Sequence, residues 1–117
     1  MLKNGTWTFK TSYFAKYKEL DGIAVSITVP EYWKGEIVRE LNPPFSLLNQ
    51  YKKGLITDSE YVKIFNKKVL DNLDILEIAN KVNNKVMLCW EKSGKLCHRH
   101  IIAAWLKKNL NVEVVEL

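Results

Sequence analysis

The chain contains no apolar run approaching the roughly 20 residues that span a bilayer, only two cysteines, and no basic run longer than a pair of lysines. The first absence excludes a membrane-spanning helix. The opening residues MLKNGTWTFK also lack the apolar core of a secretion signal, so a cytoplasmic protein with no membrane partner is expected. Two cysteines in such a chain speak for free thiols, metal ligands or a redox pair over a structural disulfide, in a reducing compartment. The third absence bears on nucleic acid. A net charge of +5 invites that partner, but the lysines fall as pairs at Lys52-Lys53, Lys67-Lys68 and Lys107-Lys108, on expected helix surfaces. A solvated lysine face explains this better than a nucleic-acid stripe, which is possible but not favoured, while the positive excess still suits a small anion. There is no internal repeat, low-complexity segment or linker, so residues 1–117 read as one domain, with 47% hydrophobic residues sufficing for one core.

The elements follow from periodicity. Thr6 to Phe14 alternates Trp7, Phe9 and Thr11 against Thr6, Thr8 and Lys10, and Gly22 to Val29 reads GIAVSITV, so both are expected as strands. Asn42-Pro43-Pro44 opens a helix over Phe45 to Lys53, with Gly54 beyond its end. Thr57-Asp58-Ser59-Glu60 has the form of a capping box, and apolar stripes at Tyr61, Phe65 and Val69 and at Ile75, Leu76, Ile78, Ala79 and Val82 predict two helices or one bent helix. Val86 to Trp90 is a continuous apolar run without helical period, as in a central parallel strand covered on both faces. Ile101, Ile102, Trp105, Leu106 and Leu110 predict an amphipathic helix from His98, and Val112 to Leu117 a last short strand. The order predicts an α/β domain, a small Rossmann-like three-layer fold with a mostly parallel sheet of about four strands. An α+β arrangement with an antiparallel edge strand is the alternative. The helices between Val29 and Lys85 are expected on one face, and the helix of Trp105 on the other or at an end.

Reactive side chains concentrate at one strand-to-helix junction: Cys89, Glu91, Cys97, His98, Arg99 and His100 fall within twelve positions, with Gly94 in the turn between. In open α/β sheets ligands bind outside the carboxyl ends of the strands, where a helix N-terminus presents unpaired N–H groups to an anion.

Leu88-Cys89-Trp90-Glu91 followed by Cys97-His98-Arg99 resembles the double motif of the conserved-cysteine family known as domain of unknown function four-eight-eight. Thr11-Ser12-Tyr13-Phe14-Ala15, Trp33-Lys34-Gly35 and Leu41-Asn42-Pro43-Pro44 are similar to its short bacterial and phage versions. The resemblance covers nearly the whole chain. It implies a Rossmann-like α/β domain with a site at these residues and leaves reaction and cofactor open.

Each candidate has a plain reading beside the chemical one. Cys89 is either a core residue of an apolar strand or, as its last residue, a nucleophile or ligand opening on the crevice. Cys97 precedes the helix beside Lys95, His98 and Arg99, all favouring a thiolate, and is expected to be the more reactive thiol; a plain loop cysteine is the alternative. Glu91 is a general base, an orienter of Arg99, or a solvated loop carboxylate. His98 and His100 point roughly 200° apart on a helix, so one faces the site. Arg99 is expected to hold phosphate or carboxylate through its fork of donors, with Ser12 and Tyr13 as neutral donors. A phosphatase-like cysteine loop needs arginine six positions after the nucleophile, where Lys95 stands.

Three functions compete. The first is a small domain binding a nucleotide-like or other phosphorylated anion, with thiol chemistry. The second is a zinc site of Cys89, Cys97 and a histidine, which lacks the Cys-x-x-Cys spacing of structural zinc sites. The third is a non-enzymatic interaction protein, with Trp7, Trp33, Trp90 and Trp105 expected mostly in the core.

Overall fold

The computed structural model describes residues 7–90 and 97–117. Four strands, β1 (Phe9–Tyr13), β2 (Gly22–Ala24), β3 (Lys85–Cys89) and β4 (Val114–Glu116), form one sheet in the order β2-β3-β1-β4. Every pairing is parallel, so no antiparallel edge strand is present among the described residues. Four helices accompany them: α1 (Phe45–Lys52), α2 (Asp58–Lys68), α3 (Ile75–Val82) and α4 (His98–Leu110).

Local chemistry accounts for most boundaries. Thr57 accepts from the Glu60 backbone N–H at 3.1 Å while Glu60 accepts from the Thr57 N–H at 2.8 Å, the reciprocal capping box expected for α2. Asp74 accepts from the N–H groups of Leu76 and Glu77 and so starts α3 as a separate helix. Gly54, at φ 75°, ends α1 in the left-handed region where a side chain is strained. β1 and β2 are shorter than their patterns predict; β2 ends at Ala24, which also pairs with Ile37 through an isolated parallel bridge. β3 stops at Cys89, which leaves Trp90 outside the strand.

All four helices share the core on one face of the sheet, with Phe9, Ile23, Val25, Met87 and Cys89. The expectation that α4 covers the other face or an end is corrected: Ile101, Ile102 and Leu106 join the cluster of Ile78, Ala79 and Val82 from α3. Handedness gives the reason. The steps from β2 to β3 and from β3 to β4 run the same way across the sheet, so right-handed crossovers put both connections on one face. The step from β1 to β2 runs the opposite way and must use the other face. No helix lies in that connection; Phe14 and Tyr17, with Trp33 and Ile37 from beyond β2, cover Ala24, Val86 and Leu88 there. The third layer is therefore irregular chain, with the Trp33 ring lying close over Gly22 and Gly35, where a Cβ would meet it at 3.1 and 2.8 Å.

Candidate functional site

The register brings the carboxyl ends of three strands level. Tyr13 pairs with Cys89, the Phe14 N–H donates to the Cys89 carbonyl, and the Val25 N–H donates to the Leu88 carbonyl. α4 begins directly over this edge with Cys97 at its N-cap position. Cys97 makes no side-chain capping bond. Its sulfur is instead joined to that of Cys89, the Cα atoms 7.2 Å apart. The two cysteines, expected as free thiols, metal ligands or a redox pair rather than a structural disulfide, are joined as a disulfide and are not free thiols.

The first two residues of α4 reach to opposite sides of this pair. His98, buried, hydrogen-bonds through Nε2 to the Val25 carbonyl beyond β2. A carbonyl only accepts, so Nε2 carries the proton and Nδ1 is left with a lone pair, 4.0 Å from the Cys97 sulfur. Burial pushes this imidazole down to about 4, and the Arg99 charge works in the same direction against the Val25 bond, so the ring is neutral at physiological pH. Arg99, at 0% exposure, extends the other way. Its Nη1 donates to the Cys89 sulfur at 3.0 Å, and Nη2 and Nε donate to the Glu116 carboxylate at 2.7 and 3.3 Å. The guanidinium thus crosses β1, with its carbon 5.8 Å from the Tyr13 ring, to a carboxylate on β4 that also accepts from the Thr11 hydroxyl. A positive group against a sulfur stabilises negative charge on it.

Above the cysteines lies a cleft of about 460 Å³ lined by Cys89, Cys97 and His98, by Ser26 and Thr28 from the segment after β2, by Tyr51, Lys52 and Tyr61 from α1 and α2, and by Trp90. Burial, then the neighbouring Tyr51, raises the Tyr61 phenol to about 12, so it stays neutral. Tyr51 donates to Asp58 at 2.6 Å.

The structure thus brings Cys89, Cys97, His98, Arg99 and Tyr13 together. Arg99 is brought to Cys89 but does not line the cleft, and it forms an ion pair with Glu116. Ser12 goes elsewhere: strand alternation turns it away from Tyr13 and Thr11 toward the face of Leu88 and Phe14, and its buried Oγ has no hydrogen-bond partner among the described residues. His100 faces a different groove, beside Trp105 and Asp71. Glu91, Gly94 and Lys95 lie outside the described residues. Among the described residues, no group of three His, Cys, Asp or Glu side chains could hold a metal ion, and no helix is long and apolar enough to cross a membrane. The reading missed Glu116 and Lys52, both of which look like ordinary surface charges in sequence. It also missed the Val25 carbonyl, which no side-chain motif could reveal.

Residues 14–110 match the family model described as the active DUF488-N3 subclade. No curated protein and no solved structure shows significant similarity to the chain.

Proposed function

The chain belongs to the DUF488 family, and we propose that it binds a small phosphorylated or otherwise anionic ligand in the cleft over Cys89 and Cys97 and acts on it through a thiol. The observation that carries this reading is the fully buried Arg99 guanidinium donating to the Cys89 sulfur at 3.0 Å. Burying a guanidinium is costly unless it is paired, and Glu116, 28% exposed, is a partner that could be met nearer the surface. Holding Arg99 against a sulfur makes sense where that sulfur carries negative charge during a reaction.

In the reduced protein the two thiols divide the work. Cys97, 7% exposed against 1% for Cys89, opens on the cleft. The neutral His98 offers its Nδ1 lone pair as acceptor to the Cys97 thiol, the thiol proton is lost to solvent, and the positive end of α4 favours the resulting thiolate. Cys89 is the supporting sulfur, steadied by Arg99. With Arg99 withdrawn from the cleft, Lys52 and the first N–H groups of α4 are the positive features that meet the ligand.

The test is alkylation of the reduced protein by iodoacetamide near neutral pH, read by peptide mass spectrometry, with and without millimolar ribose 5-phosphate. Cys97 is expected to label several-fold faster than Cys89 and to be protected by the sugar phosphate. Faster labelling of Cys89 would exchange the two roles. Labelling at both positions indifferent to every phosphate compound would remove the anion site and leave an interaction protein.

A further inference from the structure

We propose that the ligand is planar and aromatic as well as anionic, of the nucleoside monophosphate class, and that Trp90 is the surface on which its base stacks. This rests on the cleft being the ligand site, as argued above, and narrows what enters it. Trp90 differs from the other described tryptophans: Trp7, Trp33 and Trp105 are partly buried against the two cores, whereas Trp90 is 48% exposed and lines the cleft. A half-exposed indole on a mobile stem would be an ordinary surface feature, but this one is held on two sides. Its Nε1 donates to the Thr28 carbonyl at 3.0 Å and is within 3.1 Å of the Thr28 hydroxyl. Its ring meets Phe14 edge to face, 5.2 Å between centroids at 65°.

A ring fixed in this way loses little freedom when a second ring lies on it, which is what makes a rigid aromatic effective for recognition. Its place in the chain matters equally. Trp90 follows Cys89 directly, so a base lying on the indole is delivered beside the two sulfurs. The remaining walls agree with the same ligand: Leu48 and Tyr61 are apolar or neutral, Ser26 and Thr28 offer hydroxyls, and Lys52 is the charged side chain among the described lining residues, with no carboxylate beside it there. A volume of about 460 Å³ accommodates a mononucleotide and falls within the range of small-ligand pockets.

Calorimetric titration of the reduced protein with AMP, UMP and ribose 5-phosphate separates the two claims. The nucleotides are expected to bind roughly tenfold or more tightly than the sugar phosphate, the size of one base–aromatic stack. Trp90→Leu should abolish that difference, bringing nucleotide affinity down to that of ribose 5-phosphate in the same variant, and Trp90→Phe should keep part of it. Saturation-transfer NMR on the unaltered protein should place the adenine protons of AMP against an indole, a readout that needs no variant to fold. Equal affinity for AMP and ribose 5-phosphate would overturn the stacking site while leaving the anion site standing; absence of binding by all three would overturn both. Much tighter binding of a short single-stranded oligonucleotide than of AMP would overturn the mononucleotide class in favour of nucleic acid.

Discussion

Glu116 controls how much of the Arg99 charge reaches Cys89. The guanidinium donates to both, and the Glu116 side chain is 28% exposed, so the carboxylate draws the positive charge away from the sulfur. Replacing Glu116 with Gln keeps the shape and an acceptor and removes the counter-charge. Cys89 in the reduced Glu116→Gln protein is expected to alkylate several-fold faster at pH 7 than in the parent, with Cys97 changing less; an unaltered Cys89 rate would mean that Arg99 is a structural brace. Arg99→Ala acts differently. It removes a buried cation from its bonds to Glu116 and Cys89, and a loss of roughly 3 kcal/mol in stability is expected from a denaturant titration.

At the scale of the element, α2 is placed by its own ends more than by its surface. Its buried contacts come from Tyr61 and Phe65, and the reciprocal bonds of Thr57 and Glu60 satisfy N–H groups that would otherwise lack partners in the first turn. Thr57→Ala is expected to cost about 1 kcal/mol, seen as a lower denaturation midpoint, while the ratio of Cys97 to Cys89 labelling stays unchanged, because the cap lies on the far side of α2 from the sulfurs in chain order. A change in that ratio would show that Tyr61, which lines the cleft, moves with the helix start. α4 is anchored by a different device. His98 and Arg99 clamp its first turn to the ends of β2 and β4 in opposite directions, so the helix that carries Cys97 is fixed from both sides of the sheet.

For the molecule as a whole, burial of His98 makes stability depend on pH in the mildly acidic range. The imidazole binds its proton at about 4 when folded and at 6.5 when exposed. Between those values the unfolded chain holds more protons, so stability is full above 6.5 and falls as pH is lowered through the interval. His100, also lowered by burial and by Arg99, adds in the same direction. Between pH 7.5 and 5 a loss of about 2 kcal/mol is expected from His98 alone. The ion pair of Lys81 with Glu40 is exposed and Glu40 is lowered, so what little it contributes disappears only below the ordinary carboxylate value of 4.5. His98→Gln, which preserves a donor for the Val25 carbonyl, should flatten the profile between pH 7.5 and 5. A profile equally steep in that variant would mean that other groups govern acid sensitivity.

Much of this was legible in the linear chain because it depends on neighbours in sequence. The capping box, the glycine end of α1, the apolar run of β3 and the meeting of Cys89 with Cys97 across a short junction are all local, and the α/β class with its parallel sheet follows from their order. Other features are set by distant chain segments. Which face Ser12 occupies depends on its register with Leu88, and which face α4 covers depends on β4 pairing beyond β1. Glu116 becomes the partner of Arg99 for the same reason. Trp90 read as the last residue of a buried strand, because an apolar run carries no mark of where its ladder ends; the sheet stops at Cys89 and leaves the indole at the mouth of the cleft. Composition and spacing determined that a reactive junction exists, and tertiary packing decided which groups face its sulfurs, since charge and hydrogen bonding act across space between strands that sequence separates.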